Sequence, residues 1–348
     1  LFQDISIEEL LKLQHQKELV LIDVRSPSEF EDATIPGSLN IPLFDDAERS
    51  EVGTIYKQVS VQAAKDKGLE IFSAKLPAFI KTFEQIEGQK TVFCWRGGMR
   101  SRTTATVLSL MGIRVYRLSG GIRAYRKWVV ETLGQFKFQP KAFVINGNTG
   151  SGKTLILRSL KEKGYPVLDF EAMANHRGSV FGEIGLESNN QKTFETLLLK
   201  DLLQHNDSPF VLFEAESKRI GKAVLPGFVV EAKDTGVQLF IEVPIEERVR
   251  HTLEDYRPWE HKEECLKAFR HIKSRIHTPI AKEIEAHLLA DEFAEAVKLL
   301  LEHYYDPRYE HTAKDIEENR VIFKVQTIEE AVELIIDYIA TVNNQGVS

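Results

Sequence analysis

The chain has 348 residues, 43% of them hydrophobic and 28% charged, which is ordinary for a soluble globular protein and long enough for two domains with separate cores. A net charge of −7 argues against a generally basic nucleic-acid binder, and two cysteines, Cys94 and Cys265, exclude a disulfide framework and a four-thiolate zinc site. No apolar run approaches the roughly 20 residues that span a bilayer and no signal-peptide pattern opens the chain, so no membrane partner and a reducing cytoplasmic setting are expected.

In chain order, Ser6 with Glu9 three residues later predicts a capping box and a short helix. The apolar run ELVLIDVR (18–25) reads as a buried strand ending in Asp23 and Arg25, and TIPGSLNIPL (34–43) as a loop leading into a short strand. KTVFCW (90–95) is a second buried strand, with Cys94 at its carboxyl edge. MRSRTTATVLSLMG predicts a helix with Val107, Leu108 and Met111 on one face. IRVYRLSGGIRAYRKW (113–128) then reads as strand, Gly-Gly turn and helix. This alternation predicts an open, mostly parallel sheet whose site lies at the carboxyl ends of its strands.

A boundary is expected in the polar stretch GQFKFQPK (134–141), giving a first domain over 1–135 and a second over 140–348. The second repeats the α/β pattern: KAFVING (141–147) is a strand, LILRSLKEKG a helix stopped by Gly164, and YPVLDF, PFVLFEAES, VQLFIEVP and VIFKV are further strands. Between about 245 and 310 the pattern is charged and helical, an insertion in the α/β order, and a capped helix from Thr327 closes the chain. Within the insertion Cys265 reads as a packing residue. YYDPRY (304–309) reads as tyrosine packing at a helix end, with base stacking as the alternative.

Cys94 opens the loop Cys-Trp-Arg-Gly-Gly-Met-Arg-Ser, a Cys-x5-Arg spacing closed by Ser101. Arg96, Arg100 and the start of a helix near Arg100 favour a thiolate, while Gly97 and Gly98 let the backbone N–H groups of the Arg96–Ser101 stretch, Met99 included, converge on a tetrahedral anion. Sulfur transfer, selenium transfer and phosphate-ester hydrolysis all remain open on that spacing. Residues 88–130 contain no acid and nine cations: Lys90, Arg96, Arg100, Arg102, Arg114, Arg117, Arg123, Arg126 and Lys127. Taking +9 from the net −7 leaves −16 for the remainder, so a polyanion patch is expected beside Cys94, unless acids from elsewhere in the fold neutralise these arginines.

GNTGSGKT (147–154) fits G-x-x-x-x-G-K-[ST] between a predicted strand and a predicted helix. Gly147, Asn148, Thr149, Gly150, Ser151 and Gly152 would wrap a diphosphate, Lys153 would neutralise it, and Thr154 would meet Mg²⁺ where that ion is bound. Glu214 and Glu216 stand where the acid of a nucleotide hydrolase would follow its strand, but neither is the usual Asp, which argues against ATP hydrolysis. Asp169 is a candidate for orienting a substrate or water, and His176, Arg177 and Ser179 in NHRGSVFG for phosphate contact. The histidines show no metal-ligand spacing, so no structural metal is expected.

LIDVRSPSEFEDATIPGSLNIPL, the cysteine loop and LSGGIRAYRKW resemble the three signature segments of rhodanese domains, in which the loop cysteine carries a transferable sulfur. The loop here is one residue longer than in common sulfurtransferases and has the spacing of cysteine-dependent phosphatases. Together with VGTIYKQ, GNTGSGKT, LDFEAMANHRGSVFG, FEAESKRIG and YYDPRY, these segments resemble bacterial tRNA 2-selenouridine synthases over nearly the whole chain. That resemblance implies an α/β chain in which a rhodanese-like parallel-sheet domain precedes a P-loop NTPase-like domain with a helical insertion. It implies a transferase acting on the 2-thiouridine of the tRNA anticodon region, with selenophosphate and geranyl diphosphate as substrates, an S-geranylated intermediate and no tightly bound cofactor. A selenophosphate supplier would be a further partner, and Cys94 would take selenium as a Cys–Se intermediate. The competing readings are a Cys-x5-Arg phosphatase, a P-loop small-molecule kinase and a non-catalytic tRNA carrier.

Overall fold

The computed structural model describes residues 2–16, 19–308 and 320–345. Contacts divide the chain into one unit over Leu1–Gln135, with Glu195–Leu199 clustering alongside, and a second formed by the rest from Phe136 onward.

The first unit is a five-stranded parallel sheet. Its strands are β1 (Gln3–Ile5), β2 (Leu19–Asp23), β3 (Leu39–Asn40), β4 (Gln89–Phe93) and β5 (Val115–Leu118), in the order β1-β5-β4-β2-β3. The Ser6–Glu9 capping box forms, with reciprocal bonds of 2.8 and 3.2 Å. β4 is central and buried at its last four positions, which delivers Cys94 to the carboxyl edge of the sheet. The helix after the loop, Met99–Leu110, differs from expectation: it buries Ser101, Thr104, Ala105 and Leu108, while Met111 is 56% exposed. Small side chains at i, i+3 and i+4, Ser101, Thr104 and Ala105, let this helix lie close on the sheet beside the expected Leu108, a face that a count of large apolar residues largely misses. Helices Asp46–Gln58 and Val61–Glu84 add a layer; the second begins at the Ser60 cap and packs Phe72, Phe79 and Phe83 into the core beside Val92 and Cys94.

The second unit holds another five-stranded parallel sheet: β6 (Lys141–Asn146), β7 (Val167–Leu168), β8 (Phe210–Glu214), β11 (Val237–Glu242) and β12 (Arg320–Lys324), in the order β12-β11-β6-β8-β7. A small antiparallel pair, β9 (Arg219–Ile220) and β10 (Ala223–Val224), lies outside it. Again the central strand, β6, ends at the glycine loop. The following helix, Lys153–Glu162, buries Ile156, Leu157 and Leu160 completely, each contributing about 1.5–3 kcal/mol of burial that fixes the loop against the sheet. The insertion is helical: Ile245–Tyr256, Lys262–Ile272, Thr278–Leu289 and Phe293–Leu300, running into a π-helical turn at Leu301–Tyr305. These helices share a core that includes Cys265, Phe269, Ile284 and Leu300. Tyr309 and the end of the expected helical stretch lie outside the described residues. Among the described residues no helix is long and apolar enough to cross a membrane.

Candidate active site: a thiol loop and a phosphate loop

Cys94 is 2% exposed, and its Sγ lies 3.2 Å from the Ser101 hydroxyl on the first turn of the helix. The loop between them is anchored from below by the LSGG turn. Ile122 N–H donates to the Cys94 carbonyl at 2.9 Å and Arg123 N–H to that of Trp95 at 3.0 Å. Gly97 adopts a left-handed φ of 63°, and a Cβ there would meet Leu118 O at 2.9 Å. Among the described residues, the N–H groups of Arg96, Gly97 and Gly98 donate to no acceptor of the chain, so they remain available to an anion at the helix start.

The loop's charges divide into two groups. Arg100 is held by a bidentate contact to Glu29, at 3.1 Å from Nη2 to Oε1 with a closer second bond. Burial would raise the Glu29 carboxyl, but the hydrogen bond and charge of Arg100 outweigh it and hold it below its ordinary range. Arg117 pairs with Asp4 and also donates to Gly97 O at 2.8 Å, tying the loop to β1. Arg126 pairs with Glu195 and Lys127 with Glu131 at 3.6 Å, while Lys90 is buried and donates to Gly88 O. The patch is therefore smaller than nine charges. Arg96, Arg102 and Arg123 are its exposed members, with Lys127 exposed but paired; Arg114 is exposed too, yet it precedes β5 and so lies at the amino-terminal edge of the sheet, opposite Cys94. Asp23 and Arg25 are almost fully buried and clamp each other, with Thr34 and the Ala33 carbonyl completing the network, so they hold the end of β2 rather than face a ligand.

In the second unit the glycine loop curls through left-handed positions at Gly150 (φ 80°) and Gly152 (φ 78°). A Cβ at Gly150 would lie 2.6 Å from Arg248 O, so glycine is required by both the turn and the close approach. Lys153 Nζ reaches back to Gly147 O at 3.2 Å, and the Ser151 hydroxyl is buried without a partner. The loop lines a cleft of about 590 Å³.

Three glutamates converge in this cleft. Thr154 donates to Glu171 at 3.0 Å, and Glu171, Glu214 and Glu216 bring carboxylate oxygens within 4.8 Å of one another. Burial, then the Glu216 charge, pushes Glu171 up to about 8. Burial likewise raises Glu214 and Glu216, with Lys153 opposing both. Glu214 is 3% exposed with one oxygen unpartnered. An all-oxygen set of this kind, completed by the Thr154 hydroxyl, suits a hard divalent cation such as Mg²⁺.

Other expected residues take structural places. Asp169 caps the helix Phe170–Ala174 by accepting from Ala172 N–H at 2.9 Å. His176 is buried between Gly182 and Gly221, and that burial lowers its pKa. Arg177 pairs with Asp255 at 3.1 Å and stacks over Tyr256, whose hydroxyl lies 2.8 Å from Ser179 Oγ. Arg177 and Ser179 do line the cleft. Cys265 is buried in the helical core, which pushes its thiol up to about 11 and leaves it unreactive.

Four supporting residues were not among the expected site residues, although Glu171 and Asp306 lie within the LDFEAMANHRGSVFG and YYDPRY segments. Arg248, 7% exposed, donates to Thr149 O at 2.9 Å and makes a bidentate pair with Asp306. Asp306 accepts from Asn148 at 3.2 Å, and His251 Nδ1 lies 3.0 Å from Gly150 O. The helical insertion thus grips the phosphate loop from outside the sheet. Glu171 sits 17 residues beyond Thr154 and joins the cleft through the fold alone.

The model of the rhodanese-like domain matches residues 6–127, and that of the tRNA 2-selenouridine synthase AAA domain matches 140–275. A tRNA 2-selenouridine synthase of Nitrosomonas europaea is 32% identical over 92% of this chain and 86% of its own length. One of Bdellovibrio bacteriovorus is 36% identical over 71% and 66%, and one of a Sulfurovum species is 31% identical over 87% and 91%. With the thiol loop and the phosphate loop in one chain, and similarity spanning both, the chain belongs to the tRNA 2-selenouridine synthase family.

Proposed function

We propose that this chain is a transferase that converts 2-thiouridine at the tRNA wobble position to 2-selenouridine, using selenophosphate and geranyl diphosphate. The observation that carries this reading is the pairing of a buried thiol, 3.2 Å from Ser101 beside unspent N–H groups, with a phosphate loop whose cleft gathers three glutamates. A 2-thiocarbonyl sulfur is a poor leaving group. Its attack on C1 of geranyl diphosphate forms a C–S bond, breaks the C–O bond and places the electron pair on diphosphate, with N3 releasing its proton. Lys153, the Ser151 hydroxyl and the loop N–H groups stabilise that developing charge. Selenium then attacks C2 and expels geranylthiol, and water takes the phosphoryl group as phosphate.

Selenium of the bound selenophosphate is the nucleophile of this step; the Cys94 thiol and the Ser101 hydroxyl line its site, and the loop N–H groups, with Arg96, hold the anion. A Mg²⁺ ion held by Glu171, Glu214, Glu216 and Thr154 would neutralise part of the diphosphate charge when bound. The exposed arginines beside Cys94 supply the tRNA backbone contact.

Nucleoside mass spectrometry of thiolated tRNA incubated with the protein and both small substrates tests the reading. Cys94→Ala is expected to stop at S-geranyl-2-thiouridine, and Lys153→Ala to form no geranylated nucleoside. Absence of any new nucleoside with the wild type, together with phosphate release from an aryl phosphate, would replace the synthase by a Cys-x5-Arg phosphatase.

A further inference from the structure

Trp95 follows Cys94 directly, and it is 44% exposed. A single exposed apolar residue is ordinary on a protein surface, so its surroundings decide what it means. The other two tryptophans supply the contrast. Trp128 packs against Tyr125, with ring centroids 5.5 Å apart. Trp259 is 55% exposed, but the nearest cation in sequence, Arg257, is spent on Glu260 at 3.7 Å. Beside Trp95 stand Arg96 and Arg123, both exposed and without an ion pair among the described residues. Met99, at the other end of the same loop, is exposed as well. The main chain that carries Trp95 is pinned: its carbonyl accepts from Arg123 N–H at 3.0 Å, and the Cys94 carbonyl before it accepts from Ile122 N–H at 2.9 Å. Its ring stacks on no other ring or cation among the described residues. A firmly seated indole open to solvent, next to a buried thiol and two unpaired guanidinium groups, has the make-up of a single-stranded RNA platform. It offers a flat apolar face for a base and cations for the adjoining phosphates.

We infer that Trp95 stacks on one face of the tRNA wobble base while C2 of that base is presented to selenium at the Cys94 loop, with Arg96 and Arg123 on the adjoining phosphates. The inference rests on the tRNA reading of this loop and adds the side chain that orients the base. Displacement at C2 needs approach from above the ring plane, so one face of the base must stay open while the other is free to be held. An aromatic plane holds a base by its face without reading its edge, which leaves the C2 substituent uncommitted. A base in the anticodon loop is unpaired, so no duplex has to open before it reaches the platform. The pinned main chain leaves only two side-chain torsions of Trp95 to be fixed on binding, which keeps the entropic cost small. The absence of any acid between residues 88 and 130 favours a polyanion over an apolar protein segment as the occupant.

The test is a double-mutant cycle with the full chain and two labelled anticodon stem-loop RNAs, one with uridine at the wobble position and one abasic there, read by fluorescence anisotropy. The wild type is expected to bind the uridine stem-loop about 10-fold tighter than the abasic one. Trp95→Ala should bind both alike, at the affinity the wild type has for the abasic RNA, which also reports that the variant is folded. Trp95→Phe should recover most of the difference. Unlabelled uridine stem-loop should quench indole emission in the wild type and in Trp259→Phe, and Trp95→Phe should lose that quench. An equal loss of affinity for both RNAs in Trp95→Ala would make Trp95 a structural support of the loop and overturn the platform. A wild type that binds the two RNAs equally, or a wobble-base preference that survives in Trp95→Ala, would overturn it too. Each of these results leaves the tRNA reading intact, because the wild type still binds the stem-loop. Failure of both RNAs to bind the wild type would remove both.

Discussion

Gly121 lies so close to Cys94 that a Cβ on it would sit 2.0 Å from the Cys94 carbonyl oxygen. The same oxygen accepts from Ile122 N–H, so the strand end that carries the thiol is seated directly on the LSGG turn. Gly121 also has a left-handed φ of 57°. Gly121→Ala therefore combines an unfavourable backbone conformation with a clash against main chain that has no room to yield. A loss of about 2–4 kcal/mol is expected, read as a lower Tm, together with faster alkylation of Cys94 as the loop loosens. A variant with wild-type Tm and wild-type alkylation would show that the turn does not position the thiol.

Arg248 and Asp306 join the helical insertion to the phosphate loop. Arg248→Ala leaves the Thr149 carbonyl without its donor and Asp306 without its counter-charge. A destabilisation of about 2–4 kcal/mol and a roughly 10-fold weaker binding of inorganic diphosphate are expected. Arg248→Lys should recover little of either, because one ammonium cannot span both carboxylate oxygens and the carbonyl. Full rescue by lysine would reduce the contact to simple charge.

The glutamate cluster makes stability depend on pH in a direction opposite to that of salt-bridged acids. Burial holds protons on Glu171 up to about 8, against 4.5 for a free glutamate, and raises Glu214 and Glu216 as well. Below about pH 4.5 folded and unfolded chains both hold these protons, and no cost arises. Between about 4.5 and 8 the unfolded chain has released protons that the folded chain keeps, so this contribution falls as pH rises and is constant above about 8. Glu171→Gln should flatten that slope in Tm measured from about pH 5 to about pH 8. Millimolar Mg²⁺, which binds the deprotonated form, should raise the wild-type Tm more at about pH 8 than at about pH 6. Identical slopes for wild type and variant, with no Mg²⁺ effect, would exclude the cluster as a cation site.

The cations of residues 88–130 predict unequal effects on tRNA affinity. Arg96 and Arg123 are exposed, and each alanine variant should lower the slope of log affinity against log salt by about 0.7–1. Arg117 is neutralised by Asp4, so Arg117→Ala should leave the slope nearly unchanged while disturbing the loop through its bond to Gly97 O. Equal slope changes for all three, measured by fluorescence anisotropy, would mean that exposure does not decide which arginine meets the phosphates.

Features legible in the amino-acid order are those carried by contiguous residues. The Cys-x5-Arg-Ser loop, G-x-x-x-x-G-K-T and the Gly-Gly turn each encode a backbone path within about ten residues, and the apolar runs before them encode the strands that present them. Helices Asp46–Gln58 and Val61–Glu84 escaped that reading: the first has no buried residue, and the second carries Pro77 within it. The fold alone decided everything that depends on neighbours distant in the chain. Glu29 reaches Arg100 across 71 residues and Arg248 reaches Thr149 across 99. Glu171 joins Glu214 and Glu216 in one cleft. A motif survives as a string because its geometry is local. A charge's counter-ion, a carboxyl's proton affinity and an indole's exposure depend on which surfaces tertiary packing brings together, and no local spacing records that.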